Sequence, residues 1–293
     1  MLSLKQLHNK RPLCLSQGSR FFRRMGQMKI GCIQMYVAYS DVERNFATAE
    51  RLIREAAVKG AQIIVLPELW NTSFALKEIA TLADVEGMRT KAFLCKLAKE
   101  LAVHIVGGSV ATKKGEHFYN TMYTVNKDGE LVGDYDKVHL FRLMDEHLYL
   151  TAGDRVNRFT LGEVEAGGVI CYDTRFPEWL RTHALQGADV LFIPAQWPTA
   201  RVDHWQILLQ ARAIENQCFV IAVNRLSHKK ENFNGHSMII GPWGEVLWTG
   251  GDEEELAIVD VDFSAVAEVR TRIPVYNDRR PALYGEVVRV DSH

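Results

Sequence analysis

A chain of 293 residues with 47% apolar residues is long enough for one large α/β domain or two small ones, and its core needs no covalent staple. The formal charge of -1 is uneven: the first forty residues carry seven basic side chains and no acid, leaving 28 basic against 36 acidic residues, a net of -8, which excludes a nucleic-acid-binding face on the body of the chain. Five scattered cysteines without a C-x-x-C pair argue against a disulfide framework or a thiol redox centre and point to a reducing, cytoplasmic setting, and no apolar stretch approaches the roughly 20 residues of a membrane helix.

Residues 1–27 read as a basic extension. Arginines, serines and missing acids suit an organelle transit peptide; the favoured alternative is that Met25 or Met28 is the real start and the upstream segment is disordered. From there the pattern is regular. Strands are predicted at 29–35 and 62–66 around an amphipathic helix at 41–59, then a helix at 88–101 and strands at 103–110, 118–126 and 131–135, the last two joined by the Lys127-Asp128-Gly129 turn. A hairpin at 159–161 and 164–170 precedes a helix at 177–186, a strand at 189–193, a helix at 202–216 and a strand at 219–223. Segments 237–240, 245–248 and 256–261 read as a closing meander, and 285–293 as a tail. Strands alternating with helices predict a layered α/β domain over 28–284.

Three of these strands end in a reactive group. Glu68 follows Ile-Ile-Val-Leu-Pro, Lys137 follows Val-Gly-Asp-Tyr-Asp, and Cys171 follows Gly-Gly-Val-Ile. Ligands of α/β sheets gather beyond the carboxyl ends of strands, so residues remote in sequence converge there. A strand-to-helix turn would also lower the Cys171 pKa by exposing it to helical N–H groups. Thiol, carboxylate and ammonium complement one another as nucleophile, base and oxyanion partner. Singly, each has a plain reading: a core cysteine, a helix-capping acid and a solvated lysine. Together they favour chemistry. Cys32 and Cys218 read as core, and Cys95 as a helix residue with nothing to activate it. His139 is either support for Lys137 or a core histidine, and the histidines show no metal spacing. A non-catalytic scaffold and a Cys-His acyl-transfer enzyme are the competing classes.

The motifs resemble the nitrilase, or carbon-nitrogen hydrolase, superfamily: Leu-Pro-Glu-Leu at Glu68, Asp-Lys-Val-His-Leu-Phe at Lys137, Cys-Tyr-Asp-Thr-Arg-Phe-Pro-Glu at Cys171, and Gln-Ala-Arg-Ala-Ile-Glu-Asn-Gln at 210–217. The resemblance implies a four-layer α-β-β-α sandwich, homodimers or higher homo-oligomers, no metal or organic cofactor, and a Glu68-Lys137-Cys171 triad with Glu146 as a second glutamate. It also implies attack of Cys171 on an amide carbon, an oxyanion held by Lys137 and the Tyr172 N–H, a thioester intermediate, and hydrolysis by water activated through Glu68. The partners are then a small amide and water, with no nucleic acid and no membrane.

The residues after Cys171 narrow the substrate. Nitrile-hydrolysing relatives typically carry Trp-Glu where this chain has Tyr172-Asp173, and Thr174 replaces the first arginine of the N-carbamoyl-D-amino acid hydrolase pattern. With Gly-His-Ser at 235–237 and Pro-Trp-Gly-Glu at 242–245, the chain is most similar to the ω-amidase branch, which hydrolyses the terminal amide of 2-oxoglutaramate and 2-oxosuccinamate. An N-carbamoyl amino acid hydrolase or another aliphatic amidase or nitrilase is the alternative. Arg175 is a candidate for the substrate's far carboxylate, although an ion pair with Asp173 or Glu178 is the more expected role, and Trp197 is a candidate pocket wall or core residue.

Overall fold

A computed structural model of the chain describes residues 26–227 and 232–284, so the N-terminal extension and the tail lie almost entirely outside the described residues. The first half of the chain runs β1 (Gln27–Gln34), α1 (Val42–Val58), β2 (Ile63–Val65), α2 (Ile79–Leu82), β3 (Asp84–Val85), α3 (Met88–Leu101), β4 (His104–Lys114), β5 (His117–Val125), β6 (Leu131–Asp136) and α4 (Glu146–Tyr149). The second half runs β7 (Arg158–Leu161), β8 (Val164–Gly168), α5 (Pro177–Leu185), β9 (Val190–Ala195), α6 (Val202–Asn216), β10 (Phe219–Asn224), β11 (Met238–Ile240), β12 (Val246–Thr249), β13 (Glu255–Asp262), α7 (Ala265–Arg272) and α8 (Val275–Asp278).

Two sheets result. One has the order β13-β1-β2-β4-β5-β6 with β3 on β4, the other β12-β11-β10-β9-β8-β7. Parallel strands form the centre of each, β1-β2-β4 and β8-β9-β10, and antiparallel strands the flanks. Central strands apolar on both faces need cover on both. Alternation along β1 and β2 shows how it is supplied: Ile30, Cys32, Ile63 and Val65 enter the core between the sheets, whereas Ile33 and Ile64 face Leu52, Ile53, Leu94 and Leu97 of α1 and α3. On the other outer face, Leu180 of α5 and Trp205, Leu209 and Ala213 of α6 pack on the second sheet. The layers are therefore α-β-β-α, as the motifs imply.

Helix α1 illustrates the local logic. Asp41 caps it by accepting from the Arg44 N–H at 3.1 Å, and Phe46, Ala49, Leu52, Ile53 and Ala56 form one buried stripe at helical spacing. The closing meander is corrected. β11 and β12 form a hairpin, but β13 leaves that sheet and pairs antiparallel with β1 across the sandwich. β12 remains the edge of its own sheet, while Gln34 at the end of β1 donates to the carbonyls of Gly251 (2.8 Å) and Glu253 (2.9 Å) and draws the crossing segment to the first sheet.

Candidate active site

The chain reverses just after β2. Leu66 N–H still donates to Val106 O (3.0 Å), Leu69 adopts a left-handed φ of 42°, its N–H donates to Ser109 Oγ (3.0 Å), and Trp70 Nε1 donates to Gly107 O (2.8 Å). Gly108, at φ +57°, is required where this loop presses on β4: a Cβ there would collide with Pro67 O. The loop thereby drives Glu68 into the interior, fully buried. Its Oε1 accepts from Lys137 Nζ and Asn120 Nδ2, both at 2.8 Å, and its Oε2 from the Gln196 N–H at 2.6 Å. Such a carboxylate is stable away from water because its oxygens face donors.

Lys137 follows β6 directly. Its N–H donates to Asn120 O and its carbonyl accepts from Gly153 N, both at 2.9 Å. A side chain at Gly153 would meet Asp136 O. Lys137 Nζ, 1% exposed, also donates to Glu146 Oε1 at 2.7 Å, and Glu146 Oε2 accepts from the Phe141 N–H at 2.6 Å. Two buried carboxylates thus share one ammonium. Burial opposes the charge on Lys137, but Glu146 and Glu68 outweigh it and hold the ammonium well above the ordinary lysine range. Burial raises the Glu146 pKa, with Glu68 adding to the rise and Lys137 opposing it.

Cys171 approaches from the other sheet. β8 ends at Gly168, Val169 N–H still donates to Phe192 O at 3.0 Å, and Cys171 opens a 3₁₀ turn, Cys171–Arg175, with a left-handed φ of 44°. The strand expected to reach residue 170 stops short because the chain turns to present the sulfur, an uncommon backbone state for a non-glycine residue. Asp173 braces this turn. Its Oδ2 accepts from Tyr135 Oη (2.7 Å) and the Ile170 N–H (2.9 Å), and its Oδ1 from the His139 N–H (2.9 Å) and His139 Nδ1 (2.8 Å). One buried carboxylate therefore ties the turn at Cys171 to the segment after Lys137. His139 serves that tie and stacks on Phe176 at 3.7 Å.

The expected lowering of the thiol pKa is reversed. Burial pushes the Cys171 thiol well up, Glu68 and Glu146 push it further, and Lys137 only partly opposes them. The raised pKa favours the protonated thiol, whose sulfur lies 3.8 Å from Gln196 O.

A narrow cleft opens onto Cys171, walled by Phe141, Tyr172, Arg175, Gln196, Trp197, Pro198 and Arg201. A larger open groove of about 1360 Å³ lies beside α5 and α8 and contains none of the converging groups. The Tyr172 ring packs on Phe141 at 4.7 Å. Arg175 makes neither expected ion pair, because Asp173 is engaged elsewhere: its guanidinium lies 4.7 Å over the Trp197 ring, with Nη2 3.4 Å from His204 Nδ1. Trp197 is fixed by its N–H to Asn224 Oδ1 (2.8 Å) and Nε1 to Arg201 O (2.7 Å). Sequence reading missed Asn120, Gln196, Arg201 and the brace at Asp173. The one available signal was Gln196 itself, the first polar residue after the apolar strand β9, in the same relation to its strand as Glu68 to β2.

A buried glutamate, lysine and cysteine, delivered by strand ends of two facing sheets in an α-β-β-α sandwich, define the nitrilase-type hydrolases. The carbon-nitrogen hydrolase family profile matches residues 29–271, and the chain belongs to that family. It is therefore a hydrolase of carbon-nitrogen bonds. Among its relatives, the 2-oxoglutaramate amidase of Bacillus subtilis (strain 168) is 50% identical over 256 residues, covering 87% of this chain and 98% of that protein. The omega-amidase NIT2 of Homo sapiens is 33% identical over 271 residues, 89% and 98% of the two chains. Of solved structures, XC1258 from Xanthomonas campestris, a CN-hydrolase superfamily protein with an arsenic adduct in its active site, superposes with a TM-score of 0.81 at 30% identity over 87% of this chain and 98% of its own. Saccharomyces cerevisiae Nit3, a member of the nitrilase superfamily, gives 0.81 at 26% over 87% and 97%.

Proposed function

We propose that the chain is an ω-amidase that hydrolyses the terminal amide of a small 2-oxo acid amide, 2-oxoglutaramate or 2-oxosuccinamate, to the 2-oxo acid and ammonia. The observation that carries this reading is a nucleophile at the floor of a small cleft whose rim holds cations and no carboxylate, together with 50% identity to a 2-oxoglutaramate amidase.

In the proposed reaction Glu68 takes the Cys171 proton as sulfur attacks the amide carbon. Lys137 Nζ and the Tyr172 N–H stabilise the oxyanion, a contribution of roughly 3–4 kcal/mol per donor in such sites. Glu68 then protonates the departing nitrogen, the carbon-nitrogen bond breaks, and ammonia leaves a thioester. Water gives its proton to Glu68 as it attacks the thioester, and the acid and free thiol are released. Glu146 keeps Lys137 charged and in place through the 2.7 Å pair. Arg175, spread on the Trp197 ring, binds the far carboxylate.

A homodimer in a reducing, cytoplasmic setting belongs to the same reading. Ile207, Ile214, Trp243, Val246 and Leu247 expose large apolar side chains along α6 and the β11–β12 region, and Cys32, Cys95, Cys171 and Cys218 are free thiols. Sedimentation velocity at micromolar concentration tests the dimer; a monomer refutes it.

The deciding assay is ammonia release from 2-oxoglutaramate, glutamine, N-carbamoyl amino acids and simple nitriles. Highest kcat/KM on 2-oxoglutaramate is expected, and activity confined to the carbamoyl compounds would overturn the assignment.

A further inference from the structure

The cleft above Cys171 is lined by two arginines, Arg175 and Arg201, and the mechanism uses one. Arg175 and Arg201 are both half-buried and both line the cleft, and neither forms an ion pair with a carboxylate among the described residues. They are joined through one side chain: Arg175 lies over the Trp197 ring, and that ring's Nε1 donates to the Arg201 carbonyl. Trp197 in turn packs on buried Trp205 at 5.2 Å and is anchored through its backbone to Asn224. The Trp197 ring beneath Arg175 is therefore anchored, and the Arg201 backbone is tied to it.

We propose that Arg201 is a specificity-determining residue which, with Arg175, selects substrates carrying a 2-oxo carboxylate and rejects those carrying a 2-amino group. The inference rests on the amidase reading above and deepens it. Guanidinium groups offer only N–H donors and a permanent charge. A 2-oxo carboxylate presents only acceptors, three oxygens spread over two adjacent carbons, and two forks can engage them together. Glutamine has the same amide and the same chain length, but its 2-ammonium presents donors and a positive charge where the 2-oxo oxygen would lie. Like charges facing each other in a site exclude the wrong partner more effectively than a missing contact does. Glu68, Glu146 and Lys137 leave the catalytic floor with an excess negative charge when both glutamates are ionised, so the cationic rim also separates the substrate's anionic end from that floor.

The test compares kcat/KM of the full-length wild type, Arg201→Gln, Arg201→Ala and Arg201→Lys on 2-oxoglutaramate, glutamine and neutral pentanamide. In Arg201→Gln and Arg201→Ala the preference for 2-oxoglutaramate over pentanamide is expected to fall on the order of 10²-fold, chiefly through KM, and the preference over glutamine to fall further, with Arg201→Lys recovering part of both. Circular dichroism checks each variant; if Arg201→Ala does not fold, Arg201→Gln, which keeps the first two methylenes and ends in a neutral amide in place of the guanidinium, decides. Preference ratios within threefold of wild type, or equal losses on the charged and neutral amides, overturn the role of Arg201. A wild type inactive on 2-oxoglutaramate would instead refute the amidase reading itself, so the two failures are distinguishable.

Discussion

Glu146→Gln probes the part of the site that touches no substrate. Both Glu146 oxygens accept, Oε1 from Lys137 Nζ at 2.7 Å and Oε2 from the Phe141 N–H at 2.6 Å. A glutamine can satisfy only one of these donors, because its NH₂ must face the other. If the amide oxygen turns to Phe141, Lys137 loses a charge-assisted hydrogen bond worth about 1.5–3 kcal/mol and keeps Glu68. If it turns to Lys137, the Phe141 N–H is left buried opposite another donor, at a cost of about 1–3 kcal/mol. Either way the ammonium is less firmly placed, and at 1.36 kcal/mol per decade kcat should fall roughly fivefold to 150-fold. KM should move little, since Glu146 does not line the cleft. Steady-state ammonia release gives both constants, and thermal denaturation followed by circular dichroism separates lost placement from lost fold. A kcat within twofold of wild type in a folded variant would refute the view that Glu146 sustains Lys137.

Cys171→Ala should reduce turnover at least 10³-fold with the fold retained, because the sulfur's 3.8 Å contact with Gln196 O is weak; ammonia release near the wild-type rate removes it as nucleophile. The raised thiol pKa predicts that alkylation of Cys171 by iodoacetamide, followed by peptide mass spectrometry, accelerates with pH through 9 without levelling; a plateau between pH 5 and 7 would mean a thiolate already present at rest. Asp173→Asn replaces an oxygen that accepts two of four converging donors, so a stability loss of about 2–4 kcal/mol is expected by chemical denaturation, with kcat reduced alongside; a midpoint equal to wild type refutes the brace.

Much of this site could be read from the chain because Glu68, Lys137, Cys171 and Glu146 each sit where an apolar run breaks or beside a recurrent motif. Local pattern reports such breaks well. It does not report partners. Asn120 lies within a strand and Gln196 just past one, and their contacts with Glu68 depend on how the two sheets face each other. Arg175 illustrates the same limit: Asp173 and Glu178 are near in sequence, yet the turn at Cys171 sends Asp173 toward Tyr135 and leaves Arg175 to Trp197. The crossing of β13 was equally hidden, since the pattern within a strand looks the same whether it extends a hairpin or returns to another sheet. The thiol's direction failed for a different reason. Burial and two carboxylates are tertiary facts, and they outweigh whatever a short turn's dipoles supply.

In the proposed reaction, the proton that leaves Cys171 must cross a seam. Its acceptor, Glu68, hangs from the sheet built by the first half of the chain, its donor from the sheet built by the second, and β13 reaches back from the second half to clasp β1 of the first. Each half by itself holds an incomplete reagent, an acid without a nucleophile or a nucleophile without a base. The enzyme is in this sense a complementation assay written into one polypeptide, in which turnover reports that two half-sandwiches have docked in register and that the returning strand has closed.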